Sequence, residues 1–280
     1  MVAFPNCKIN LGLIIVSKRS DGYHNLETVF YPVQLKDAVE IIEDRNVQQS
    51  MLNAQCSISG LSVEGDVENN LCVKAYKLLK NDFPELPSVK IHLHKTIPMG
   101  AGLGGGSADG AFTLQLLNKK FELGLPEHQL LSYALQLGSD CPFFIINKPC
   151  FATGRGEDLE PINIDLTKYK FIIVHPGIHV STAAAFAQVS GRLQRPDTYK
   201  SIKQIIQQTI STWKDELKND FEETVFIQHP EIKTIKDKLY DAGAIYASMS
   251  GSGSAVYGIF ERNKVLHLYF PEKYFVKEIV

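Results

Sequence analysis

Three stretches of this chain hold residue types able to do chemistry together. The first is Pro98-Met-Gly-Ala-Gly-Leu-Gly-Gly-Gly-Ser107, where five of the seven residues from Gly100 to Gly106 are glycine. Glycines let backbone N–H groups turn inward and let a ligand approach with no Cβ in the way. Ser107 suits a helix N-cap and Asp109 a first helical turn. A glycine loop running into a helix start holds a phosphate chain, because orphan N–H groups and the helix dipole both favour an anion. The second stretch carries Lys8 in an apolar N-terminal run, with Asn10 on the same face at strand spacing. That lysine is either an edge-strand cation reaching solvent or a fixed cation beside a transferring phosphoryl group. The third holds Asp140, just before Pro142. It is either an ordinary turn aspartate or a carboxylate placed to orient or deprotonate an attacking hydroxyl.

Other phosphate-loop readings fit less well. Gly100-x-Gly102-x-x-Gly105 matches a dinucleotide fingerprint by letters. That fingerprint follows the first strand of a βαβ unit and needs an acidic residue about 20 positions on. Here nearly a hundred residues precede it, and Glu122, the only acidic candidate near that distance, has no clear strand before it. A Walker loop needs Gly-Lys-Ser/Thr, and no Gly-Lys pair occurs in the chain. A merely flexible turn would leave five glycines unused at an entropic cost.

The elements that must position these residues are legible from periodicity. Residues 2–16 read as a strand, 19–28 as a turn at Asp21-Gly22 and a returning strand, and 29–63 as two or three further β-rich runs. Asn69-Asn70-Leu71 opens a helix to Asn81 with Leu71, Ala75, Leu78 and Leu79 on one face. Val89–Lys95 reads as a strand leading into the glycine loop, and Ala108, Ala111, Leu114, Leu117 and Phe121 mark the helix leading out. A further helix spans about 126–137, with Gly138 as its stop. Asp140 is expected between that helix and an apolar strand start. Beyond it lie a strand at 171–175, a short helix at 181–189, a loop at 196–200, and helices at about 201–212, 214–226 and 231–241. Strands at 244–248 and 255–260 flank Ser250-Gly-Ser-Gly-Ser254, a turn that reads equally as a plain glycine hairpin, and 274–280 is strand-like.

At 280 residues, with 44% hydrophobic and 21% charged residues, the chain is a globular protein of one large domain or two ordinary ones. A net charge of −2 without a basic run argues against a nucleic-acid partner, though not against a nucleotide held by backbone groups. Five cysteines, an odd number with no Cys-x-x-Cys pair, read as free thiols in a reducing compartment. With no signal peptide and no apolar run near 18 residues, the expected location is cytoplasmic, away from membranes.

The spelling Pro98-x-x-x-Gly102-Leu-Gly-Gly-Gly-Ser-Ala-Asp109 resembles the ATP loop of the GHMP kinases, named for galactokinase, homoserine kinase, mevalonate kinase and phosphomevalonate kinase. Cys7-Lys8-Ile9-Asn10-Leu11 is similar to their Ala-Lys-Ile-Asn-Leu segment, departing at Cys7. Gly138-Ser-Asp-Cys-Pro-Phe-Phe144 resembles Gly-Ala-Asp-Val-Pro-Phe-Phe, and Ser250–Ser254 the third signature turn. Arg19-Ser-Asp-Gly-Tyr-His24 and the Thr182-x-x-x-Phe186 pair resemble one branch, whose acceptor is a cytidine-diphosphate sugar alcohol. The fold implied is α+β: a two-domain GHMP kinase, with a ribosomal-S5-like ATP-binding domain over residues 1–153 and a ferredoxin-like α/β domain over 154–280. The resemblance implies ATP with its triphosphate against Pro98, Gly100, Ala101, Gly102, Leu103, Gly104, Gly105, Gly106 and Ser107, Mg²⁺ bridging the phosphates, and adenine near Asn70 and Leu71. It implies Lys8 and Asp140 as the catalytic pair, and Asn10, Tyr23, His24, Thr182 and Phe186 around the substrate. Tyr23 would stack on the cytosine, His24 would meet its polar edge, and Phe186 would close its other face. The acceptor is then a small molecule, and the chain a monomer or weak homodimer. A kinase for another small alcohol would have no reason to keep Tyr23-His24 and Phe186. A non-catalytic nucleotide-binding module would tolerate loss of Lys8 or Asp140. Gly110 stands where the family more often has Ala, and Cys7 and Cys141 bracket the catalytic pair, an arrangement expected to make activity sensitive to oxidation.

Overall fold

Alternation along Val89–Lys95 sets the frame of the first of two units. The computed structural model describes residues 1–45, 54–63, 65–189 and 200–280. In chain order these form β1 (Val2–Ala3), β2 (Asn6–Lys18), β3 (His24–Lys36), β4 (Ala38–Glu43), β5 (Ala54–Gly60), α1 (Leu71–Asp82), β6 (Val89–Lys95), α2 (Gly105–Lys120), α3 (Glu127–Leu137) and α4 (Cys141–Ile146). There follow β7 (Cys150–Thr153), β8 (Asp158–Pro161), β9 (Tyr169–His175), α5 (Thr182–Val189), α6 (Ile202–Ile206), α7 (Trp213–Glu216), α8 (Phe221–Gln228), α9 (Pro230–Asp241), β10 (Tyr246–Met249), β11 (Val256–Glu261) and β12 (Phe275–Ile279).

The first unit comprises residues 1–7, 34–99 and 104–147. Its sheet has the order β1-β4-β6-β5, antiparallel between β4 and β6 and parallel between β5 and β6. Every second residue of β6 (Val89, Ile91, Leu93, Lys95) is buried, while Lys90, His92 and His94 face out. Helices α1 and α2 pack on the sheet and on each other, and α3 and α4 pack on α2.

The second unit comprises residues 8–33, 100–103 and 148–280. It holds most of a sheet ordered β2-β3-β7-β8 and all of an antiparallel sheet ordered β10-β11-β9-β12. Apolar residues of β9, β10 and β11 join Phe221, Val225, Ile232, Ile235 and Leu239 of α8 and α9 in one buried cluster. The α+β class therefore holds. No helix among the described residues is long and apolar enough to cross a membrane.

Several boundaries differ from expectation, each for a physical reason. Ser107 is not the N-cap of α2. Gly104 is, at φ +69°, and the helix begins at Gly105. Only glycine enters a helix cheaply from the left-handed region, so the loop sets the start. Asp109 is therefore a buried residue further along the helix rather than a first-turn acid. The apolar run after Asp140 is the short helix α4, not a strand. Pro142 suits a helix's first turn, and Asn147 at φ +49° ends it. The helices expected at 201–212 and 214–226 are interrupted: α6 stops at Ile206, and 217–220 separate α7 from α8. The loop expected at 196–200 falls, except for Lys200, outside the described residues, as does part of the β-rich region before Ala54.

Candidate active site

β2 delivers Lys8 and Asn10 into the second unit's interior. Lys8 is 4% exposed, so the solvent-reaching reading falls away. Its Nζ donates to Asn10 Oδ1 at 2.7 Å and lies 4.9 Å from the centre of the Phe30 ring. Asn10 is held in turn: its Nδ2 donates to Thr28 Oγ1 at 2.9 Å, its N–H to Ser250 Oγ at 3.3 Å, and its carbonyl accepts from Tyr257 Oη at 2.7 Å. A buried ammonium held by a specific partner is oriented, and an oriented cation is what charge neutralisation requires.

The first half of the glycine loop docks onto this strand. Lys8 N–H donates to Leu103 O at 2.9 Å, Ala255 N–H to Ala101 O at 3.0 Å, and Ser250 Oγ to Gly102 O at 2.9 Å. Gly102 sits at φ +79°, and a Cβ there would lie 1.9 Å from Ser250 O. The glycine is thus required twice, by its backbone angle and by the close approach of the Ser250 turn. That turn is no plain hairpin, because Ser250 joins β2, the loop and β10 through one hydroxyl. The sequence marks the turn as the third signature but does not point to Ser250 as part of the site.

Of the substrate candidates, His24 and Phe186 meet directly. Their rings stack at 5.0 Å and 17°, and Phe186 also packs edge-to-face with Phe221 at 4.9 Å. Burial lowers the His24 pKa, which favours the neutral ring able to both give and accept a hydrogen bond. Tyr23 is 56% exposed, with the Arg155 guanidinium 5.0 Å from its ring centre. Thr182 opens α5, and its hydroxyl pairs with that of Ser252 at 2.9 Å.

In the first unit, Asn70 caps α1 by accepting from Cys72 N–H at 2.9 Å. Asn70 and Leu71 also line a cavity of about 250 Å³ with Ile58, Leu93, Met99 and Gly106. Lys95 and Asp109 line it too. Lys95 has no exposed side-chain surface and contacts both Asp37 and Asp109, the latter at 2.7 Å. Asp37 also accepts from Ile97 N–H at 2.9 Å, and so braces the strand end leading to the loop. Burial pulls the Lys95 pKa down, but the two carboxylates more than offset it. Burial pushes Asp109 up to about 8, against the pull of Lys95. Its Oδ1 has no hydrogen-bond partner. One ammonium cannot balance two buried carboxylates, which is why the Asp109 pKa stays raised despite Lys95. The sequence reading missed this triad, although a lysine in the apolar phase of β6 was its signal.

Asp140 immediately precedes α4. Next to it, burial pushes the Cys141 thiol up to about 12. Cys7 and Cys141 are both fully buried, which works against the expected sensitivity to oxidation.

Relatives sort this arrangement. Residues 70–148 match the model of the GHMP kinases N terminal domain, and residues 201–268 that of the GHMP kinases C terminal. The chain is 53% identical over 260 residues to a 4-diphosphocytidyl-2-C-methyl-D-erythritol kinase of Bacteroides fragilis, covering 93% of this chain and 92% of that one. It belongs to the GHMP kinases. A Bacteroides thetaiotaomicron protein of the same name is 52% identical over 93% of this chain and 92% of its own. Among solved structures, a 4-(cytidine 5′-diphospho)-2C-methyl-D-erythritol kinase superposes with a TM-score of 0.78 at 29% identity, over 94% of this chain and 91% of the other. A homoserine kinase from Cytophaga hutchinsonii shares the fold, with a TM-score of 0.67 at 15% identity over 98% and 94% of the two chains. The N-terminal GHMP match spans α1 to α4, and so includes the glycine loop, part of the wall of the cavity beside it and Asp140.

Proposed function

We propose that this GHMP kinase transfers the γ-phosphoryl group of ATP to the 2-hydroxyl of 4-diphosphocytidyl-2-C-methyl-D-erythritol, giving the 2-phosphate and ADP in the non-mevalonate route to isoprenoid precursors. The observation that carries this is likeness along more than nine-tenths of both chains to kinases of that name. The stacked His24–Phe186 pair beside an exposed Tyr23 supports a cytosine site. Mevalonate and homoserine have no aromatic face to lay against those rings.

The triphosphate lies along residues 100–107, where backbone N–H groups and the start of α2 offset its charge. Asn70 and Leu71 flank the adenine. Mg²⁺ is the counter-ion. Among the described residues no three His, Cys, Asp or Glu side chains converge. Bound with ATP, Mg²⁺ would supply positive charge against the phosphates. Phosphoryl transfer is loose and depends on alignment and charge more than on basicity. The acceptor is a hindered tertiary alcohol, so holding it in line matters most. Asp140 receives or steers its proton. Lys8, aimed by Asn10, stabilises charge on the acceptor oxygen. The free thiols of all five cysteines suit a cytoplasmic enzyme.

The test is ADP release with ATP and Mg²⁺, comparing the cytidine substrate with homoserine and mevalonate. Turnover with the cytidine substrate alone is expected. Turnover with another alcohol would keep the kinase and discard the cytosine site, and silence with all three would leave only a nucleotide-binding module.

A further inference from the structure

Arg155 stands in the turn between β7 and β8, between Gly154 and Gly156, both at positive φ. Glu157 grips it at two points, accepting from Arg155 N–H at 2.5 Å and from its Nε at 2.9 Å. The turn is pinned to β3, because Leu26 N–H donates to Gly154 O at 2.8 Å. This brings the guanidinium to 5.0 Å from the Tyr23 ring centre. The backbone of Tyr23 is held as firmly. Its N–H donates to Asp21 Oδ1 at 3.1 Å, and its carbonyl accepts from Arg19 N–H at 2.8 Å. Asp21 is fixed in turn by Arg19, whose Nε donates to it at 3.0 Å.

A tyrosine at the tip of a hairpin ordinarily rotates freely, and ordering it on binding costs affinity. Here the planar guanidinium covers one face of the ring. With 56% of Tyr23 exposed, the other face stays open. A surface cation–π pair with no task would not need a carboxylate gripping both the main chain and the side chain of the same arginine. We propose that Arg155, clamped by Glu157, is a positioning residue for the cytosine: it holds Tyr23 as a preset stacking platform. The inference rests on the proposed substrate, but its failure looks different from failure of that reading.

Cytidine 5′-diphosphate and ADP are titrated calorimetrically into the parent, Arg155→Ala, Tyr23→Ala and the double variant, with steady-state kinetics alongside. Arg155→Ala is expected to weaken cytidine diphosphate binding, and to raise KM for the cytidine substrate, by about three- to tenfold. ADP affinity and kcat stay at parental values. The double variant binds no more weakly than Tyr23→Ala, because Arg155 acts through Tyr23. Arg155→Lys, which keeps the charge but not the plane, falls between. Parental affinity in Arg155→Ala, or losses that add in the double variant, would overturn the proposal. So would a loss of ADP affinity of the same size, which marks a general structural role. Should Arg155→Ala fail to fold, Glu157→Gln keeps the guanidinium and loosens its clamp. Parental cytidine diphosphate affinity in that variant would overturn the proposal equally. If the parent itself binds no cytidine diphosphate, the substrate reading and this inference fall together.

Discussion

Single side chains in this protein act through what burial does to their charge. The proposed role of Asp140 predicts that Asp140→Asn lowers kcat by two to four powers of ten, the usual worth of a positioned proton acceptor. ATP affinity should hardly change, since the nucleotide is held by the loop. Parental turnover in that variant would remove Asp140 from the mechanism. Asp109 makes a prediction about stability instead. Its folded pKa, about 8, lies above the unfolded value near 4. Between those values the folded chain binds a proton that the unfolded chain has released. Stability therefore falls as pH rises through that window. The effect is on the order of a few kcal/mol, with Lys95 limiting it. Asp109→Asn should remove this decline. Urea unfolding of both proteins at pH 5 and pH 8 checks it, and an unchanged difference between the two pH values would refute it.

Among the elements, α2 shows a local rule overridden by packing. Gly110 costs up to about 1 kcal/mol of helix propensity relative to Ala. A Cβ there would lie 2.9 Å from Leu71 Cβ and 3.3 Å from Leu137 Cδ1. These neighbours belong to α1 and α3, so α1 and α2 would have to part at Leu71, while the Leu137 side chain gives by a few tenths of an ångström. Overpacking of this kind costs about 1–3 kcal/mol, which exceeds the propensity gained. Gly110→Ala should therefore lower Tm, against the expectation from propensity alone. A raised Tm would mean that α1 gives way easily. The same segment explains Asn70, which is both a helix cap and a wall of the cavity beside the loop.

At the scale of the whole molecule, ligand binding should report on folding. A nucleotide that binds only the native state at a hundred times its Kd stabilises by about 2.7 kcal/mol. Saturating ATP should thus raise Tm clearly in the parent. Asp140→Asn should keep the rise while losing turnover, which separates binding from chemistry. A Tm unmoved by ATP in the parent would count against the loop as a nucleotide site.

Much of this was legible in the residues alone. The β-rich N-terminal region, the amphipathic α1, the glycine loop and the family signatures follow from local spacing, because a helix face or strand face is set by neighbours in sequence. What sequence periodicity cannot carry is partnership across long separations. Asn10 and Ser250 stand 240 residues apart, yet their hydrogen bond ties β2 to the turn under the loop. Asp37, Lys95 and Asp109 look like a turn acid, a strand-end base and a helix-start acid, and only folding makes them one buried charge cluster. The start of α2 was misplaced for a related reason: Ser107 is a good cap by propensity, but Gly104 could take a backbone angle closed to serine. Sequence by itself determined the loop, its chemistry and its family. Tertiary structure alone decided which charges are buried, which hydroxyl joins the segments and which arginine lies over Tyr23, because those depend on desolvation and on contacts that chain order does not encode.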